Sequence, residues 1–167
     1  MAQPLSQINL WKKQSIMAVT DDQVATLRAQ LAGRPAKHHR QVRRPDPSEA
    51  GAGYSALISA AFFEAARRRF VRNGWPAEDG EVADFVASAR GRSKRAIDVI
   101  VPGVAERVIN HAIGKLPLEA NDDIDPNVAT RVKTLLLAAL VGDEQFSDAK
   151  LDRFMTRARE LADESLR

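Results

Sequence analysis

The sequence predicts an all-α protein, a single-domain bundle of six or seven helices with a basic N-terminal linker. Three observations carry that expectation. Aromatic residues make up only 5% of the 167 residues while Ala, Leu and Val abound, a balance that favours helices over strands. Apolar residues recur at helical spacing between recognisable caps and breakers. No segment of five or more residues alternates convincingly, and no internal repeat is present. A chain of this length buries roughly 70% of its unfolded surface, so one core suffices.

Residues 1–33 read as an arm followed by a short helix. Ile8, Leu10, Trp11 and Ile16 follow no clean period, and Asp21 to Ala32 is the first firm helix. Thr20 and Gln23 make a capping box, Val19 and Val24 a hydrophobic staple, and Gly33 with Pro35 ends the helix. Val24, Leu27 and Leu31 form its buried stripe. Residues 34–53 turn to Pro, Gly, His and Arg and read as a linker. Residues 54–167 are expected to be the bundle core.

The helix from Tyr54 to Asn73 offers Leu57, Ile58, Ala61, Phe62 and Ala65 to that core, with Phe63 and Phe70 widening the stripe, and stops at Gly74. A helix from Gly80 to Arg90, capped by Asp79, buries Val82, Phe85, Val86 and Ala89, and Gly91 closes it. Ser93 to Val101 follows. Pro102 either kinks this helix or separates it from the next, which presents Val104, Ala105, Val108, Ile109, Ala112 and Ile113 before Gly114. After a loop, Asp125-Pro126 is the clearest helix start in the chain, and Val128, Val132, Leu135, Leu136, Ala139 and Leu140 face inward until Gly142. The last helix begins near Ser147, with Phe146 and Leu151 as a staple, and buries Leu151, Phe154, Met155, Ala158, Leu161 and Ala162.

The absence of cysteine excludes disulfides, thiolate chemistry and cysteine-type zinc sites. No run of eighteen apolar residues and no cleavable leader is present, so the cytoplasm is the expected address and no membrane is expected. The histidines are His38 and His39, embedded among arginines that would repel a metal ion, and His111, beside an apolar helix stripe without a nucleophile to serve. Asp123, Asp125 and Asn127 begin the ligand spacing of a calcium loop. Val128 then stands where the turn glycine is needed and Thr134 where the bidentate glutamate is needed, so these acids read as caps of a helix. Gly51 and Gly53 lack the rest of a phosphate loop. The chain is therefore expected not to be an enzyme, with no metal and no cofactor.

Charge is the remaining signal. Residues 1–44 carry eight Lys/Arg against two acids, residues 45–115 ten against nine, and residues 116–167 seven against eleven. Three basic clusters result. The linker cluster holds Lys37, Arg40, Arg43 and Arg44 beside Arg34, either an arm that orders on phosphates or solvated charge. Arg67, Arg68 and Arg72, with Arg69, lie near the end of a helix, where cations also stabilise the helix itself. Arg90, Arg92, Ser93, Lys94 and Arg95 surround a helix N-terminus. Cations there oppose the helix dipole and give the fold nothing, whereas a bound phosphate would use them together with the free N–H groups and the Ser93 hydroxyl. The same stretch admits a helix-turn-helix, with Ala87 as the small residue of the first helix, Gly91 in the turn, Ile97 and Ile100 on the inner face of the second helix, and Lys94 and Arg95 facing a groove.

With its basic helices Phe62 to Arg72 and Arg90 to Arg95, the chain resembles the small α-helical subunits of CRISPR surveillance ribonucleoproteins. The resemblance implies a compact, non-enzymatic bundle that lines a complex in several copies and contacts nucleic-acid backbones. Trp11 and Trp75 form no stacking pattern, so the expected partner is RNA or single-stranded DNA bound through its phosphates, with proteins or copies of the chain as further partners. The alternatives are a helix-turn-helix DNA regulator and a structural subunit that packs basic face on acidic face without nucleic acid.

Overall fold

The structure is a computed structural model and describes residues 18–33 and 47–167. The arm at residues 1–16 and the linker cations Arg34, Lys37, Arg40, Arg43 and Arg44, with His38 and His39, lie outside the described residues. Seven α-helices are found among the described residues: α1 (Asp21–Leu31), α2 (Pro47–Phe70), α3 (Asp79–Arg90), α4 (Lys94–Val99), α5 (Pro102–Ala112), α6 (Pro126–Glu144) and α7 (Asp148–Ser165). A two-strand ribbon, β1 (Val71–Arg72) and β2 (Trp75–Pro76), and a single 3-10 turn (Leu118–Asn121) complete the fold. No helix among the described residues is long and apolar enough to cross a membrane.

Most helix starts are written in local chemistry. The Thr20 hydroxyl accepts from the Gln23 N–H while the Gln23 side chain accepts from the Thr20 N–H, which completes the capping box of α1. Asp125 accepts from the N–H groups of Asn127 and Val128 at 2.7 and 3.4 Å, and Pro126 occupies the first turn of α6. Ser147 caps α7 through the Lys150 N–H. At α3 the cap expected of Asp79 is absent. Glu78 holds the cap position without a side-chain bond, and Asp79 is already helical, where its carboxylate meets Lys115 Nζ at 2.8 Å.

The packing is organised around α2. Leu57, Ala61, Phe62, Ala66 and Phe70 are almost wholly buried, and α2 lies against α6 on one side and α7 on the other. Arg28, Asp21 and Val19 tie α1 to α7 through Asp152, Arg159 and Asp163. The α3, α4 and α5 helices cover the far side of α6. The inward residues of α3, α5 and α7 are those the periodicity predicts, apart from Val104 and Leu161, which are half-buried. Helix α6 also buries Leu137 and Val141, because neighbours press on it from several sides.

Two boundaries differ from expectation. First, α2 begins at Pro47, so residues 47–53 belong to the bundle and not to the linker. Ala-Gly pairs carry too little side chain to show a period, yet Gly53 is buried because α1 passes close by: a Cβ there would lie 3.1 Å from Gln23 Oε1. Second, α2 ends at Phe70 instead of Asn73. Asn73 and Gly74 take positive φ values of 55° and 79°, which suits a two-residue hairpin turn, and Val71 pairs with Pro76. Phe63, expected in the core, is 38% exposed, whereas Phe70 is buried edge-on against Phe85. At Pro102, where a kink or a separation was expected, the chain separates two helices, with Val101 in an extended conformation at the cap of α5.

A polar contact interrupts the α2–α6 interface. Lys133 Nζ donates to Ser59 Oγ at 3.3 Å, and burial pushes the Lys133 ammonium below its ordinary pKa. The folded state therefore releases this proton before the unfolded chain does, so stability gains from Lys133 as pH rises from the lowered value toward the ordinary value of about 10.4. Lys133→Met should remove that gain: urea titrations at pH 7 and pH 9.5 should show a smaller rise in unfolding free energy for the variant than for the unaltered chain. Separately, Asp125→Ala should cost about 1 kcal/mol and lower the melting temperature by roughly 2–4 °C, read by circular dichroism.

Candidate nucleic-acid interface

The junction between α3 and α4 brings Arg90, Arg92, Ser93, Lys94 and Arg95 together but divides them by role. Arg90 Nε donates to the Ile100 carbonyl at 3.0 Å and holds the end of α4 against α3. Arg92 reaches across to α6, where it donates to the Ala139 carbonyl at 3.3 Å and meets Asp143 at 2.7 Å. The expectation that the fold gains nothing from the cations at this N-terminus fails for Arg92, whose partners lie on α6. Ser93 Oγ accepts from the Ala96 N–H at 3.0 Å and is the helix cap. With six residues, α4 also sums only a small dipole, so its N-terminus is a poor phosphate site. Lys94 and Arg95 are exposed and have no ionic partner among the described residues.

The helix-turn-helix geometry is not present at this junction. Its second helix would be α4, which is too short to lie along a groove, and Ile97, expected to face inward, is 53% exposed. Ala87, expected at the contact between the two helices, is also exposed.

The arginines of α2 are likewise divided from one another and from Arg72, which was expected in the helix but lies on β1. Arg72 pairs with Glu81 at 3.1 Å. Arg68 pairs with Glu144 at 3.2 Å and lies over the Phe146 ring at 5.2 Å. Arg67 is exposed and stacks on Phe63 at 5.4 Å, and Arg69 on Phe70 at 5.7 Å. Neither has a carboxylate partner among the described residues.

What the linear reading missed is the basic face of α7. Its Lys150, Arg153 and Arg157 stand at i, i+3 and i+7 and so share one face. That face turns toward α2, and with Arg68, Glu64, Phe146 and Phe154 it lines a half-open groove of about 160 Å³. Lys150 and Arg153 have no side-chain partner among the described residues, whereas Arg157 is loosely paired with Glu160 at 3.6 Å. The i, i+3, i+7 spacing was the available signal, and the acidic total of residues 116–167 concealed it. The acids weighed as calcium ligands are committed elsewhere. Asp125 is a helix cap, and Asp123 is bound by Arg107, whose hydrogen bond holds the carboxyl below its usual range. His111 lies half-buried on α5 and belongs to no cluster that could hold a metal among the described residues.

Comparison with known proteins adds no guide to this surface, since no family model, curated protein or solved structure matches the chain.

The two kinds of cation should separate experimentally. Arg92→Gln removes an ion pair and a bond to a buried helix carbonyl, and should cost roughly 1 kcal/mol. The double variant Lys94→Gln with Arg95→Gln should melt within about a degree of the unaltered chain or slightly higher. Thermal melts of the two proteins side by side check this. An Arg92 variant as stable as its parent would show that the bridge to Asp143 contributes nothing.

Proposed function

We propose that this chain is a non-enzymatic module that binds the phosphate backbone of RNA or single-stranded DNA along the groove between α2 and α7, within a larger assembly. The observation that carries the reading is the line of Arg68, Lys150, Arg153 and Arg157 along one groove, flanked by Arg67, with two of its cations unpaired among the described residues. Lys150 lies in the first turn of an 18-residue helix, where a cation opposes the dipole, so its place there favours an anionic ligand over the isolated fold. Cations spaced along a groove track a backbone, and the scarcity of exposed aromatic rings fits binding that is indifferent to base sequence. Lys94 and Arg95 offer a second set of phosphate contacts.

The assembly part of the reading rests on exposed apolar side chains. Trp75 on the ribbon is 77% exposed and Leu118 on the 3-10 turn 68%, and the Lys115–Asp79 bridge ties the segments that carry them. Large apolar side chains left on the surface in this way suit contact with a protein or with a further copy of the chain.

The test is the salt dependence of binding to a fluorescent single-stranded oligonucleotide. Lys150→Gln, Arg153→Gln and Arg157→Gln combined should weaken binding and lower the log–log salt slope by about two units, at roughly 0.7 per phosphate contact. Unrelated sequences of equal length should compete equally. An unaltered chain that retains neither RNA nor DNA at low salt, or a triple variant with an unchanged slope, would overturn the proposal.

A further inference from the structure

A second concavity lies away from the α2–α7 groove, between α1 and α6, with α4 at its edge. It is half-open and measures about 200 Å³. Its floor is apolar: Leu27 and Leu31 from α1 face Leu135 and Ala138 from α6. Arg95 and Arg131 add cationic groups to its lining, and among the described residues no carboxylate lines it. Arg131 donates through Nε to the Asn127 carbonyl at 3.3 Å, which leaves its two terminal nitrogens available, and Arg95 has no ionic partner among the described residues.

The polar rim is selective as well. The Thr130 hydroxyl donates to the Pro126 carbonyl at 2.9 Å, and the Thr134 hydroxyl donates to the Thr130 carbonyl at 2.8 Å. Both protons are committed within α6, and Gln30 accepts from the Tyr54 hydroxyl through Oε1, so the donors left to a ligand's polar head are the two guanidinium groups and the Gln30 amide. Guanidinium groups bind carboxylates in paired, charge-assisted hydrogen bonds. An apolar cavity of about 150 Å³ is enough to hold benzene, so the space here fits a chain or ring of roughly six to eight carbons.

We infer that this cavity is a binding site for an amphipathic carboxylate, an organic acid whose chain or ring of six to eight carbons lies between α1 and α6 and whose carboxylate is held by Arg95 and Arg131. The site shares Arg95 with the second set of phosphate contacts proposed above, but no residue of the α2–α7 groove lines it. It also places a small-molecule ligand where α1 leans on the rest of the bundle, so occupancy would brace that contact.

Titration calorimetry on the full chain tests the inference with octanoate, octan-1-ol and acetate. Octanoate should bind saturably with a dissociation constant below about a millimolar, octan-1-ol about tenfold or more weakly for want of the charge, and acetate not measurably. Arg95→Gln should weaken octanoate about tenfold and leave octan-1-ol unchanged. Ala138→Phe, at an exposed position on the cavity wall, should fill the space and abolish both without disturbing the helical circular dichroism. Absence of saturable octanoate binding overturns the inference, as does octanoate binding that survives both substitutions. Oligonucleotide binding unaltered by Ala138→Phe is the expected control.

Discussion

The structure depends on how closely other helices can approach α2. Its inner surface alternates large side chains with small ones: Ala61, Ala65 and Ala66 are buried beside Phe62 and Phe70, so α6 and α7 can each lie close against it. Buried alanines cost no side-chain entropy, and interdigitated small and large residues give the density of a protein interior. Because α2 fills the space between them, α6 and α7 are joined mainly through it, and the grooves along its edges have fixed walls. The basic groove is one of these edges. Its residues come from α2 and α7, positions far apart in sequence that only this packing brings together.

Much of the fold was legible because its signals are local. Thr20 with Gln23, Asp125 with Pro126, and Ser147 each announce a helix within four residues, and the 3.6-residue period of Val82 to Ala89 or Ala105 to Ile113 is complete within one element. The failures follow from the same rule. The start of α2 was hidden because Ala-Gly pairs contribute almost nothing to an apolar period, although their small size is what α1 requires. The hairpin was announced by Asn73-Gly74, a turn signal overlooked because two-residue strands are too short to alternate.

The candidate site was less legible for a different reason. Whether a surface arginine is available to a ligand depends on whether a carboxylate or carbonyl from another helix reaches it. Arg92 and Asp143 are 51 positions apart, so no window along the sequence could show that Arg92 is committed while its neighbours Lys94 and Arg95 are not. Net charge by segment failed for the same reason at α7, where the acids of the segment mask the Lys150, Arg153 and Arg157 stripe. Charge becomes informative once it is sorted by helix face.

The ties between α1 and α7 also constrain the order in which the chain can assemble. Val19 and Asp21 bond to Asp163 and Arg159, across separations of 144 and 138 residues, while most contacts of a helical bundle are local. During synthesis α1 is made first, but its last partners emerge only when α7 has left the ribosome. The apolar residues Leu27 and Leu31 of α1 find their partners on α6, whereas its polar ties through Val19, Asp21 and Arg28 must wait for α7. Closure of the bundle is then a late event, because the contacts that join α1 to α7 have the largest sequence separation among the described residues.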